Sequence, residues 1–204
     1  MRFSEIKQIL ASKTIGIAGA GGLGSNCAVA LARVGIGKLI IADFDTIDEG
    51  NLNRQYYFYD QIGQKKVFAL RDNIKRINPH TNVECHDVKL DPDKILELYS
   101  NCDVIVEAFD LAEAKQMIIE TILVQLPEKP LVTGNGLAGW GFNNMIKTRK
   151  IVNLYICGDQ YLEVSDHLPP LAPRVGIVAS MQANQVLEIL LGEPFIIKQN
   201  EDHS

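Results

Sequence analysis

The sequence has 204 residues, 47% of them apolar and 22% charged, which suits one domain with a full core and is too apolar for a disordered chain. A formal net charge of −5 and a pI of about 5.4 provide no basic footprint, so nucleic acid is excluded as a first partner. No apolar run approaches the roughly 20 residues that span a bilayer, and Glu5 and Lys7 interrupt the N-terminus where a secretory signal stays apolar. A soluble, cytoplasmic protein without membrane contact is expected.

Lys13–Ala20 is a β-branched apolar run that ends in glycines, followed by helix formers over Leu23–Val34. Strand, tight turn and helix are expected in succession. Lys38–Ala42 is a second continuous apolar run, the pattern of a parallel strand buried on both faces. Val67, Leu70, Ile74 and Ile77 share one helical face, placing a helix over Gln64–Ile77 that Asn78-Pro79 stops. Val83–Val88 reads as a third strand, and Asp91–Ser100 as a helix with Asp91 as cap and Pro92 in its first turn. Val104–Ala108 is a fourth strand, Ala112–Gln125 a helix and Pro130–Thr133 a fifth strand. Alternation of this kind implies an α/β fold: a doubly wound, mostly parallel, Rossmann-like sheet that takes its ligands at the carboxyl ends of the strands.

Beyond Thr133 the pattern changes. Gly134, Gly136, Gly139 and Gly141 punctuate a loop around Trp140, and Asn143–Lys147 with Ile151–Ile156 predicts an antiparallel hairpin turning at Arg149-Lys150. Gly158–Arg174, with Pro169, Pro170 and Pro173, is a long irregular stretch of the kind that is functional or mobile. Gly176–Leu191 closes the fold as a helix with apolar residues on nearly every face, destined for the core or a subunit interface. Residues 1–204 are read as a single domain, with a nucleotide half at about 13–133 and a second half at about 134–197.

Cys27, Cys85, Cys102 and Cys157 lack the paired short spacings of a tetrahedral zinc site, so no structural zinc is expected. Cys27 and Cys85 fall in apolar patterns and are core residues. Cys157 opens the loop Cys157-Gly158-Asp159 and is expected to be exposed.

Gly19-Ala20-Gly21-Gly22-Leu23-Gly24 fits G-x-G-x-x-G between a strand and a helix, where Gly19, Gly21, Gly22 and Gly24 permit a tight turn and free N–H groups face phosphate oxygens. Asp43 ends the second strand, in position to accept hydrogen bonds from ribose hydroxyls. These features alone leave a dinucleotide and ATP open. The following segment, Asp45 to Gln55, sets Asn51 and Arg54 beside a phosphate chain running outward, which suits the higher charge of a triphosphate. Lys66, or its neighbour Lys65, can swing an ammonium toward the same phosphates. Asp110 follows the fourth strand, where it can hold Mg²⁺ through one oxygen and, in another rotamer, cap the next helix.

GAGGLG, DFD, NLNRQ, IGQKK, INP and EAFD occur here in the order that resembles the ThiF/MoeB/HesA adenylyltransferases, relatives of the ubiquitin-activating enzymes, over about Lys13 to Leu191. Ile36 to Leu39, Cys157-Gly158-Asp159 and Ala172 to Gly176 look most like the short ThiF proteins of thiamine biosynthesis. The resemblance implies that ATP adenylates the C-terminal carboxylate of a ubiquitin-like, ThiS-like sulfur carrier ending in Gly-Gly, releasing pyrophosphate, in a homodimer. It gives the catalytic roles to Arg54, Lys66 and Asp110. Asp43 would hold the ribose, Asn51, Arg54 and Lys66 the phosphates, and Asp110 the magnesium, with the carrier bound by the second half of the chain. It also makes Cys157 a candidate for a covalent link to the carrier and Arg2 a candidate for an arginine lent to a dimer partner. The chain departs from many members in lacking two CxxC pairs late in the sequence. His167 is read as a loop residue. An NAD-dependent oxidoreductase and a noncatalytic nucleotide- or carrier-binding module are the alternatives.

Overall fold

The computed structural model describes residues 1–159 and 161–193. The predicted alternation is present as seven strands ordered β3-β2-β1-β4-β5-β7-β6. β1 (Thr14–Ala18), β2 (Lys38–Ala42), β3 (Asn82–His86), β4 (Val104–Glu107), β5 (Leu131–Gly134) and β7 (Leu154–Gly158) are parallel, and β6 (Lys147–Ile151) runs antiparallel to β7 at the edge. The connecting helices are α2 (Gly22–Val34), α3 (Lys66–Ile77), α4 (Pro92–Tyr99), α5 (Ala112–Gln125) and α6 (Ala172–Leu191). A further helix, α1 (Phe3–Ala11), precedes β1 and buries fully only Leu10. Phe3, Ile6, Ile9 and Leu10 recur at helical spacing, a short pattern that the sequence reading passed over.

The sheet separates two apolar layers. Leu39 and Ile41 of β2 face the cluster that holds Ile15, Ile17, Leu31, Leu70 and Val178, whereas Ile40 faces the cluster of Ile95, Tyr99, Ile105, Ile118 and Ile122. Burial on both faces is why β2 reads as an unbroken apolar run. Each such side chain contributes about 1.5 to 3 kcal/mol on leaving water. The buried Tyr99 hydroxyl donates to Ile17 O at 3.0 Å, so its ring fills the core without an unmet polar group. Asp91 caps α4 as predicted, accepting from Lys94 N at 2.8 Å.

Three expectations are corrected. The hairpin turns at Val152-Asn153, because Ile151 pairs with Leu154 and Arg149 lies opposite Ile156. β6 is exposed along its whole length, so no buried face marked its extent in the sequence. α6 starts at Ala172 rather than Gly176, since Pro173 occupies its first turn, where a missing N–H costs nothing. Asp110 does not cap α5: the capping position is Leu111, with no side-chain hydrogen bond. Residues 194–197 of the proposed second half, and Gln160 in its loop, lie outside the described residues.

β1 leads outward to β2 and β3 on one side, and β4 starts the other side, so the strand order reverses between β1 and β4. Such a switch point opens a crevice at the carboxyl ends of the strands. Gly19 bridges it with φ +100°, a conformation L side chains rarely adopt, while its N–H donates to Ala42 O at 2.9 Å. Gly24 lets α2 approach so closely that a Cβ there would lie 1.9 Å from Gly19 O. A Cβ on Gly21 meets nothing nearer than Gln55 Nε2 at 3.9 Å. Gly24→Ala is therefore expected to lose at least about 2 kcal/mol of unfolding free energy in chemical denaturation, and Gly21→Ala to stay within about 0.5 kcal/mol of the parent.

Candidate active site

The glycine loop is held by one carboxylate. Asp43, just past β2, accepts from Ala20 N at 2.7 Å and from Asp45 N at 2.7 Å. Burial lifts this carboxyl above its ordinary range, against the two amides and the Lys66 ammonium, which favour the charged form. On the other side of Ala20, its carbonyl accepts from the buried Tyr57 hydroxyl at 2.7 Å. The sequence reading assigned Asp43 to a ribose and passed over Tyr57, whose partner is 37 residues away.

Lys66 and Lys65 part company in the structure. Lys66 Nζ donates to Asp45 Oδ2 at 2.7 Å, and the residue is only 5% exposed. Lys65 Nζ donates to Phe44 O and to Asp87 Oδ1 on the surface. Both lysines thus meet the Asp43–Asp45 turn, Lys66 as a buried ammonium on the Asp45 carboxylate and Lys65 from the surface through the Phe44 carbonyl. Helical geometry explains the divergence, since α3 starts at Lys66 and Lys65 is its extended N-cap residue.

Arg54 lies along the start of α2. A Cβ on Gly22 would stand 3.5 Å from Arg54 Cγ, and Arg54 O accepts from Asn26 Nδ2 at 2.9 Å. Its Nη1 donates to Gly50 O at 3.0 Å and to Asn53 Oδ1 at 2.7 Å, shaping its own loop. Asn51 is buried and exchanges hydrogen bonds with Asp48. That exchange occupies its carbonyl and leaves its side-chain NH₂ for a further partner. Around the glycine loop of Gly19, Gly21, Gly22 and Gly24, Asp43 thus contacts Ala20, and Lys66 reaches Asp43's turn through Asp45. Arg54 packs along Gly22, and Asn51 O accepts from Arg54 N at 3.2 Å. Asp110 stands exposed after β4, next to Ala108, whose carbonyl borders Gly19.

Two ion pairs were missed by the sequence reading. Glu107, fully buried at the end of β4, accepts from Phe109 N at 2.7 Å and pairs with Lys115 of α5 and with Thr133 of β5. Arg174 and Asp159, both buried, pair within the second half. Arg174 Nε donates to Gly136 O at 2.9 Å and Nη1 to Gly141 O at 2.6 Å, while Asp159 Oδ1 accepts from Tyr161 N and Leu162 N. Burial works against ionised Asp159, but those amides and Arg174 outweigh it and hold the carboxyl below its usual range. Both partners sit in short motifs, Cys157-Gly158-Asp159 and Ala172 to Gly176, that carried the family resemblance without a role.

Cys157 is not exposed. It lies in β7 with no solvent access, and burial pushes its thiol up to about 11. A thiol is nucleophilic as the thiolate, so this position does not suit a covalent link to a carrier. Cys102 is pushed up to about 12 and Cys85 to about 11, by burial first. Arg2 precedes α1, whose far end meets the start of β2 through Gly37 N and Leu10 O, at the amino ends of the strands. His167 is an exposed loop residue, as expected.

Compared with known proteins, residues 2–203 match the ThiF family. The chain belongs to that family. This ThiF-family chain is 33% identical over 180 residues to the adenylyltransferase and sulfurtransferase MOCS3 of Caenorhabditis briggsae, covering 85% of the chain but 44% of that protein. It therefore spans less than half the length of that relative. It is 30% identical over 194 residues to the molybdopterin-synthase adenylyltransferase of Haemophilus influenzae, covering 93% of the chain and 79% of that protein. Its fold resembles the Escherichia coli tRNA N6-threonylcarbamoyladenosine dehydratase solved with AMP, at a TM-score of 0.82, 22% identity, and coverage of 91% and 89%. Among the described residues no helix is long and apolar enough to cross a membrane.

Removing one partner of the Arg174–Asp159 pair strands a buried charge. Arg174→Met is expected to lower the unfolding free energy by about 3 to 5 kcal/mol, read from a denaturant titration.

Proposed function

We propose that this chain adenylates the C-terminal carboxylate of a ubiquitin-like sulfur carrier of the ThiS type ending in Gly-Gly, in thiamine biosynthesis, using ATP and magnesium. One observation carries the reading: Asp43, Lys66 and Arg54 are tied to the same glycine loop, through Ala20, Asp45 and Gly22, at the mouth of the β1–β4 crevice. The relatives named as adenylyltransferases support it.

A C-terminal carboxylate has a pKa of roughly 3.5 and is ionised at neutral pH, so the reaction needs no general base. Its oxygen bonds to the α-phosphorus of ATP, the bond to the bridging oxygen breaks, and pyrophosphate leaves. The barrier is the approach of two anions and the entropy of aligning them, which positioned cations and a rigid loop lower. In this assignment Asp43 holds the ribose, Gly19, Gly21, Gly22 and Gly24 shape the loop that receives the nucleotide, and Asn51, Arg54 and Lys66 balance the charge of the phosphates. For Lys66 this means exchanging or sharing Asp45 with a phosphate oxygen.

Among the described residues no three His, Cys, Asp or Glu side chains converge as a metal cage. The single exposed carboxylate of Asp110 fits Mg²⁺, which characteristically takes one or two protein carboxylates and draws its other ligands from phosphates and water. When bound, the ion neutralises charge on the phosphates.

The carrier docks, in this reading, on the loops after β5 and β7. Trp140, Phe142, Tyr161 and Val164 are each more than half exposed there, on a backbone that Arg174 holds in place. Such exposed apolar groups on a fixed surface are the mark of an interaction site. A homodimer is proposed across α6 and the β6–β7 hairpin. An open groove of about 720 Å³ there is lined by Thr148 and by Pro173, Ile177, Met181 and Glu188 of α6. Sedimentation equilibrium is expected to give twice the chain mass at micromolar concentration, and a single-chain mass removes the dimer.

A molybdopterin carrier is the second reading, favoured by the name of the Haemophilus relative. Incubation with ATP, Mg²⁺ and each candidate Gly-Gly carrier, followed by mass spectrometry, separates the two: the true carrier gains one AMP. Tight NAD binding with no calorimetric response to ATP and Mg²⁺ would return the oxidoreductase alternative. ATP and carrier binding without pyrophosphate exchange would indicate a noncatalytic module. Arg54→Ala and Asp110→Ala are each expected to cut carrier-dependent ATP–pyrophosphate exchange by at least about a hundredfold, the cost of losing one transition-state contact. Near-parent exchange in either variant refutes its assigned role.

A further inference from the structure

We infer that Glu107 and Lys115, neither of them in the nucleotide site proposed above, act as a positioning clamp that sets the turn carrying Asp110. The inference rests on the adenylation reading only for the role of Asp110.

Glu107 is the last residue of β4 and has no exposure to solvent. A lone buried carboxylate costs several kcal/mol, so a buried Glu at this point requires partners for both oxygens. Oε1 accepts from Phe109 N at 2.7 Å, inside the turn that leads to Asp110. Oε2 accepts from Lys115 Nζ and from the Thr133 hydroxyl. The ammonium in turn donates to Gly134 O at 2.9 Å, at the end of β5. From the opposite side, Gln182 of α6 donates to Glu107 O at 2.9 Å.

The geometry has a direction. Ala108 N donates to Ala18 O at 2.9 Å, anchoring one end of the turn to β1, and α5 begins at Ala112 without a side-chain cap. Between those two points, the side-chain hydrogen bond on the turn's backbone runs from Phe109 to Glu107. The ammonium holds Oε2 of Glu107, which leaves Oε1 aimed at that amide. Lys115 is one turn into α5, so it also locks the start of that helix to β5. Asp110 itself stays exposed and can meet a ligand, while the amide just before it is held by the buried Glu107 carboxylate, which the partly buried Lys115 pairs. Supporting groups of this kind, when removed, cost about 10- to 100-fold in metal affinity or activity.

The test uses the full-length protein and compares Lys115→Met, Lys115→Arg and Glu107→Gln. The first readout is amide hydrogen exchange at Phe109, with Ile105, which donates to Pro130 O at 3.0 Å in the sheet, as the reporter of global opening. The second is the gain in ATP affinity that Mg²⁺ produces, measured by calorimetry with Mg²⁺ and with a chelator. In Lys115→Met, Phe109 exchange is expected to speed up by at least about tenfold with Ile105 unchanged. The Mg²⁺-linked gain should fall by about tenfold, while ATP affinity in chelator moves less than about threefold. Lys115→Arg restores most of both, because a guanidinium can meet the same oxygens. If Lys115→Met does not fold, Glu107→Gln carries the same two measurements.

Unchanged Phe109 exchange with an unchanged Mg²⁺ gain overturns the clamp. Equal acceleration at Ile105 and Phe109 also overturns it, by reducing the pair to general fold stability. Absence of carrier-dependent pyrophosphate exchange in the parent protein refutes the adenylation reading instead, and neither of the two measurements requires a carrier.

Discussion

The two hydrogen bonds that Asp43 accepts, from Ala20 in the glycine loop and from Asp45 beyond β2, fix where everything else at the crevice can stand. A backbone amide in a glycine-rich turn has many conformations open to it, and holding one of them costs about 1 to 2 kcal/mol per residue. A partly buried carboxylate that binds two amides offsets that cost. The same turn carries Asp45 into contact with Lys66. A single carboxylate thereby couples the loop after β1, the loop after β2 and the start of α3.

This arrangement requires very close backbone approach, which is where the glycines enter. Gly24 sits against the carbonyl of Gly19, and Gly19 against that of Ala108. Helix α2, strand β1 and strand β4 then meet within the reach of one side chain. The price of such proximity is that side chains at these positions are forbidden, so positioning has to come from neighbours. Asp43 and Tyr57 supply it on the β2 side of the crevice, and Glu107 on the β4 side.

Farther along the chain the same physics recurs with a different ion pair. The loops after β5 and β7 have little regular structure, yet Arg174 and Asp159 join them through hydrogen bonds to main-chain groups on both. Because both charges are buried and satisfied, the surface above them can expose Trp140, Phe142 and Tyr161 without losing its shape. The crevice and a flanking apolar surface are in this way built on buried charges rather than on additional helices.

Much of this was legible from residue order. Unbroken apolar strands such as Lys38–Ala42 announce a parallel sheet because both faces are buried, and alternation with amphipathic helices leaves few topologies open. The glycine spacing after β1 and Asp43 after β2 located the crevice, since local chain geometry delivers both to one end of the sheet. The sequence alone did not decide which of Lys65 and Lys66 turns inward, because adjacent residues differ by about 100° around a helix whose exact start was unknown. It also gave no sign that Cys157 is buried, that the hairpin turns at Val152-Asn153, or that Glu107 finds Lys115 and Asp159 finds Arg174. Those outcomes depend on pairings between distant segments and on which groups lose their water, quantities that exist only once the chain has closed on itself.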